Sequence, residues 1–579
     1  MNLLLLFVIA IILLTLGYVT YGKVLCRWLN LKNENLTPAH RLRNDVDFIP
    51  ANKYYLLSQH LSAIAAAGPI VGPILAGMWF GWVPTFLWIV LGGIFIGGVH
   101  DMVTIVASIR HQGKSIAEVI KETIGNKAYI LFLLFLWFSL IYIIAAFTDV
   151  TSSTFVDPQR GSAIASSSML YLLLALVMGL VQKKFNPSLA VATIIFLPLV
   201  LACIYLGPLL PLHLPALFGL DQKMSWNVML LVYCFAAAVI PVWLLLQPRG
   251  YLGGFFLILT AFVSFLGLVV GNFTQNIVIQ YPAFVGWTNV QGLPLFPILF
   301  TTVACGACSG FHCMISSGTT SKQLSKETDA RVVGYGGMLL ESFVAVMALG
   351  TLLLLTTDQA ETLKDPSQIY AHGIATFLNC LKINKEFAIN FALLAFATFV
   401  YDTLDVATRL GRYIFEELLS FLPLNKTPNL KDLEFGKKSS ITGWKNRFSA
   451  YIATCATLVL PLWFLTRKIV DAQGNVIPGW KMFWTVFGAS NQLLAALVLF
   501  GLSLWLFRKK MKFQITLLPS IFMTVISLLA LYHIIKPWLA NALHGNIKAD
   551  PVAITSIILY LLTFFLIIEG IKIFRGKAS

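Results

Sequence analysis

The sequence predicts an all-α polytopic membrane protein with about fifteen transmembrane helices, and three observations predict it. Mean hydropathy is +0.81, and of the 579 residues 58% are hydrophobic and only 11% charged, against about 25% charged in soluble domains. Apolar runs recur from end to end, each of roughly 17 to 25 residues and so long enough to cross a hydrocarbon core of about 30 Å. The period-two alternation of a membrane barrel is absent, which leaves helices as the spanning solution.

Spans are expected near residues 2–21, 59–79, 83–108, 128–148, 167–181, 189–207, 228–247, 254–271, 294–315, 334–357, 387–403, 448–466, 482–507, 514–534 and 552–573. The opening MNLLLLFVIAIILL lacks a basic leader and is too continuously apolar for a signal peptide, so it is read as a helix. The net charge of +16 is a matter of topology: 31 of the 41 Lys and Arg fall in one alternating set of loops. That set is cytoplasmic by the positive-inside rule, which puts the N-terminus outside and the C-terminus inside and makes nucleic acid an unneeded partner. The longest loop, 404–447, is too short for a folded domain, so residues 1–579 form one integral membrane unit. Most of the eight Cys lie within spans, with no extracellular disulfide framework in view.

Two spans are interrupted. HLSAIAAAGPIVGPILAG, from His60, places Gly68-Pro69 and Gly72-Pro73 mid-span, where each Pro removes a backbone donor and the helix is expected to kink or unwind. FTTVACGACSGFHCMISSGTTS, from Phe300, carries Gly306, Ser309, Gly310, Ser316, Ser317, Gly318 and Thr319. Two interrupted spans of opposite direction are the sequence signature of a secondary transporter's binding site, where freed carbonyls and half-helix ends face a cavity. Close helix packing through small residues is the other reading of the same Gly and Pro.

Ionisable residues inside spans are functional candidates by default. Asp101 follows His100 in the third expected span, and Glu341 lies about two turns into the tenth. Asp402, Asp405, Arg409 and Arg412 share one helical face, with Asp405 and Arg409 spaced as an i to i+4 pair; a gate of ion pairs near a membrane edge and a solvated amphipathic helix both fit. Ser490, Asn491 and Gln492 lie mid-span and need partners. Cys305, Cys308 and His312 share a face, yet no fourth ligand is apparent and buried Cys behaves mostly as a small hydrophobe, so neither a metal nor a cofactor is predicted. No Walker, GxSxG, HExxH or CxxCH motif is present, and an enzyme is not predicted.

HLSAIAAAGPIVGPILAG, VHDMVTIVASIRHQGKSIAEVI, ACGACSGFHCMISSGTTSKQL, ETDARVVGYGGMLLESFVAVMAL, DTLDVATRLGRYIFEEL and FGASNQLLAAL, taken in this order, resemble the signature segments of the carbon starvation protein A family. The resemblance implies a bacterial inner-membrane transporter with a LeuT-like inverted-repeat core spanning about residues 50–507, flanked by a peripheral first helix, 1–21, and peripheral C-terminal helices, 508–579. It implies uptake of pyruvate or peptides in nutrient limitation, coupled to protons or, as an alternative, Na+. It marks His60, Gly68, Pro69, Gly72, Pro73, Gly306, Ser309, Gly310, Ser316, Ser317, Gly318, Thr319, Asn491 and Gln492 as candidates for substrate binding. His312, Asp101 and Glu341 are candidates for ion coupling. A membrane sensor that binds without transporting is the rival class; the sequence fixes neither the cargo nor the oligomeric state.

Overall fold

A computed structural model describes residues 2–43, 48–65, 67–216, 219–241, 243–290, 292–363, 365–419, 444–466, 479–544 and 551–574. Helices dominate these residues, and no strand of a sheet occurs among them. Eleven helices are long and apolar enough to cross a membrane by themselves: Leu3–Trp28, Trp82–Arg110, Asn126–Phe155, Gly161–Phe185, Leu189–Leu209, Leu246–Gln275, Glu327–Leu353, Lys385–Leu419, Val486–Arg508, Gln514–Leu543 and Val552–Lys572. The bent pair Lys53–Ile64 and Gly68–Phe80 makes a twelfth. The other three expected spans fall on the helix Gln222–Val239, on an interrupted segment that starts at Leu295, and on the short apolar helix Ala450–Leu465.

Two boundaries differ from expectation in ways that matter for the site. The expected span 228–247 ends early, because Ile240 precedes Pro241 and takes an extended conformation, the one that the proline ring imposes on its neighbour. A new helix, Leu246–Gln275, then begins ahead of the expected 254–271 and takes in the presumed loop 248–253. The expected span 387–403 is instead the 35-residue helix Lys385–Leu419. Residues 404–419 therefore extend a span, while 420–443 of the expected loop lie outside the described residues.

Burial sorts the helices. Trp82–Arg110, Asn126–Phe155, Glu327–Leu353, Lys385–Leu419 and Val486–Arg508 bury 78–89% of their apolar windows inside the protein, whereas Leu3–Trp28 buries 33% and Leu189–Leu209 28%. The first group forms the centre, and the second turns exposed Leu, Ile and Val outward to lipid. Lys385–Leu419 packs along Asn126–Phe155, Leu246–Gln275 along Lys53–Ile64, and Gly336–Leu353 along Gly68–Phe80.

Both marked spans are interrupted, each a few residues from where the sequence suggested. The first bends by 49° between Ile64 and Gly68. Pro69 then sits in the first turn of the new helix, where its missing N–H leaves no bond unmade, and Gly72-Pro73 lies within that helix rather than unwinding it. In the second, Leu295–Thr302 ends, 303–310 is non-helical, Phe311–Ile315 resumes, and Ser316–Thr320 winds as a wide π turn instead of opening. Two more π turns, Gly93–Gly97 and Arg331–Tyr335, precede Asp101 and Glu341. Such bulges cluster at functional sites.

Candidate functional site

The two breaks face each other. A Cβ at Gly68 would collide with the side chain of Cys305, and one at Gly72 with the carbonyl of Thr302; only glycine allows the two backbones this close. Asn491, from the central helix Gly479–Arg508, stitches the second break. Its Oδ1 accepts from the Phe311 amide at 2.8 Å, its carbonyl accepts from the Gly310 amide at 3.1 Å, and its Nδ2 donates to Ser309 Oγ at 3.0 Å and contacts Cys305 Sγ at 3.6 Å. Backbone groups freed by the missing turn are thus satisfied by one side chain and its own main chain, as the membrane interior demands. Gln492 donates to the Phe300 carbonyl at 3.2 Å, next to the same break.

A chain of ionisable groups lies beside the resumed helix. His312 Nδ1 is 2.8 Å from Asp101 Oδ2, and His100 Nδ1 is 2.8 Å from Asp101 Oδ1. His312 Nε2 is 3.2 Å from Glu341 Oε2, close enough for an ion pair yet off the hydrogen-bond direction. All four side chains are buried. The chain links the second interrupted span to Trp82–Arg110 and to Glu327–Leu353, three elements distant in sequence.

A second cluster borders a cavity. Arg249, fully buried at 0% exposure, donates from Nε to Asp402 Oδ1 at 2.5 Å and pairs through Nη1 with Asp405. Tyr233 OH donates to Asp405 at 2.8 Å and accepts from Arg249 Nη1, while Ser62 Oγ donates to the other oxygen of Asp402. Nη2 of Arg249 has no hydrogen-bond partner among the described residues. Asp402, with Gln59, His60, Ser62, Thr319 and Thr320, lines a cavity of about 30 Å³, room for one or two waters. His60 Nδ1 is 2.8 Å from Thr320 Oγ1, across the two interrupted spans.

Several expectations need correction. The gate pairing between Asp405 and Arg409 does not form: Asp405 is held by Arg249 and Tyr233, and Arg409 donates to the carbonyls of Ala237 and Ile240 at 2.6 and 2.7 Å, where the preceding helix ends. Arg412 lies over the ring of Tyr413 at 4.6 Å. Asp402 and Asp405 are buried in the middle of the helix Lys385–Leu419, not at a helix break or on a solvated face. Nor do Gly68, Pro69, Gly72, Pro73, Gly306, Ser309 and Gly310 surround one hollow with Ser316, Ser317, Gly318 and Thr319. Gly68, Pro69, Gly72, Pro73 and Gly306 line the contact between the breaks, Ser309 and Gly310 face Asn491 of the helix Gly479–Arg508, Ser317 Oγ donates to the Cys313 carbonyl at 2.7 Å, and Gly318 faces Leu410. Of the candidates for substrate binding, His60 and Thr319 reach the cavity.

Arg249 was missed, together with Ser62 and Tyr233. In QPRGYLGGFF it reads as a loop cation, but the glycines after it were a signal: a Cβ at Gly253 would collide with Asp402 and Ser62, marking a helix face that meets a polar partner closely. No group of three or more His, Cys, Asp or Glu among the described residues is arranged to hold a metal ion.

Comparison with known proteins places this geometry in a family. The profile described as carbon starvation protein CstA matches residues 2–370 and 357–530. The pyruvate/proton symporter BtsT of Escherichia coli (strain K12) is 31% identical, the alignment covering 86% of this chain and 76% of that protein. The peptide transporter CstA of Bacillus subtilis (strain 168) is 28% identical over 99% of this chain and 97% of its own. Among solved structures, a manganese transporter of Eremococcus coleocola overlaps 94% of this chain and 100% of its own at 13% identity and a TM-score of 0.42, too low to fix a fold. Matched by that profile along most of its length, the chain belongs to the carbon starvation protein CstA family.

Proposed function

We propose that the chain is a secondary active transporter that imports a small carboxylate of the pyruvate class by proton symport, with short peptides as the alternative cargo. The observation that supports this reading best is the pair of interrupted spans packed break against break, beside buried ionisable groups and a water-sized cavity. Irregular backbone and buried charge at membrane depth are expensive, and transporters retain them where helices must move about a binding site. The relatives named for pyruvate/proton symport and for peptide transport support the two cargoes, which share a carboxylate.

On this reading the core is a LeuT-like inverted repeat in the cell inner membrane, with the N-terminus periplasmic and the C-terminus cytoplasmic. The bend between the helices Lys53–Ile64 and Gly68–Phe80 and the break at 303–310 are hinges, and the space between His60, Thr319 and Asp402 widens to take cargo. His312, Asp101 and Glu341 tie the second interrupted span to Trp82–Arg110 and Glu327–Leu353, so that these elements move together. Counterflow of labelled pyruvate in proteoliposomes, read together with an internal pH dye, tests the reading. Accumulation with internal acidification that persists when K+ replaces Na+ is expected, and an unlabelled dipeptide competes if peptides are carried. Binding without accumulation overturns it in favour of a sensor.

A further inference from the structure

Arg249 offers chemistry that the transport reading leaves unused. It is one guanidinium facing two carboxylates, so Arg249, Asp402 and Asp405 together carry one net negative charge when all are ionised. Its two neighbours are not equivalent. Asp405 is fixed from a second side by Tyr233, away from the cavity, whereas Asp402 forms part of the cavity wall. Nη2 of Arg249 is buried with no partner, a donor whose desolvation is uncompensated.

We propose that Arg249 is the anchor for the substrate carboxylate and that Asp402 is the group whose proton makes room for it, an inference that rests on the transport reading above. One proton from the outer solution bonds to an Asp402 carboxylate oxygen. The neutral acid loses its hold on Arg249, and Nε and the spare Nη2 present a fork to which an incoming carboxylate binds in a bidentate manner. Asp405 stays ionised as the permanent counter-ion. The substrate brings one negative charge and the proton one positive, so the site carries one net negative charge before and after. A buried cluster tolerates partner exchange far better than a change of net charge. On the inner side the substrate leaves, Asp402 releases its proton to water, and the original ion pair re-forms.

The groups that face Asp402 and Asp405 and set this exchange are Arg249 and, from neighbouring helices, Tyr233, Cys234, Tyr171 and His60, with Arg409 on their own helix. Two consequences are specific. Transport of a monocarboxylate runs at one proton per substrate and is electroneutral, so an inward gradient of one pH unit sustains about tenfold accumulation at any membrane potential. A zwitterionic dipeptide carried with one proton would instead be electrogenic.

The test uses the full-length protein in proteoliposomes with labelled pyruvate, an imposed pH gradient, and the potential clamped by K+ and valinomycin. Wild-type accumulation is expected to follow the pH gradient and ignore the potential. Asp402→Asn is expected to keep counterflow but lose pH-driven accumulation, falling from about tenfold to unity, while Asp405→Asn weakens binding yet keeps the proton ratio. Accumulation that follows the potential in the wild type, or that survives in Asp402→Asn, overturns the proposal; the wild-type arm decides even if a variant fails to fold. No pyruvate uptake by the wild type at all would instead refute the transport reading itself.

Discussion

The two buried clusters each join basic groups to carboxylates, and they differ in what surrounds them. In the cluster of Arg249, Asp402 and Asp405, Asp402 forms part of the wall of a cavity of about 30 Å³, large enough to admit water. His312, Asp101, His100 and Glu341 are enclosed on every side by packed helices. A charge beside water can change partners at modest cost; a charge in a sealed interior is tied to the partner it has, because separating them strands an ion in low dielectric. The first cluster is therefore suited to exchange and the second to holding three helices in register.

The sharpest way to break this comparison is Arg249→Leu. It leaves two buried carboxylates facing each other, and uptake should vanish with a stability loss of about 3–5 kcal/mol, read as a lower unfolding midpoint in detergent. Near wild-type uptake would mean that the exchange cluster is decorative. Next in size is the contrast between Asp402→Asn and Asp405→Asn: the two should separate, the first losing proton coupling and the second losing affinity. Identical phenotypes would show that the cavity does not distinguish them.

His312→Gln tests the sealed cluster. It should slow turnover several-fold while leaving the ratio of protons to pyruvate and the final accumulation unchanged. If accumulation also fell to unity, His312 would carry the transported proton and the division of labour would collapse. The smallest effect is expected from Asn491→Ala, which strips the Phe311 amide of its acceptor. A loss of about 1–3 kcal/mol in stability, with coupling intact, would be seen by thermal unfolding alongside counterflow.

Much of the architecture was readable from hydropathy, because the bilayer punishes any span that is too short or too polar. The clearest instance is Trp82–Arg110, expected at 83–108. The interruptions were readable for a related reason: Gly-Pro pairs and a Gly, Ser and Thr run stand out against Leu and Ile. Their positions were not, since a Pro in the first turn of a helix is harmless and one a few residues later is tolerated within it. Asp402 and Asp405 were visible as ionisable groups in an apolar segment. Their partner was not, because a lone Arg at the head of a span looks like a topology signal, and the contact joins positions more than 150 residues apart.

Taken by itself, the sequence determined that the chain lives in a membrane, where most of its apolar helices fall, and which polar residues must find company there. These follow from local composition, since each segment meets lipid or water on its own terms. Only the tertiary structure decided who keeps company with whom: Arg249 with the two aspartates, His312 with Asp101 and Glu341, Asn491 with the second break. Those choices depend on which helix faces lie side by side. Packing of the whole bundle sets that, and no single stretch of sequence encodes it.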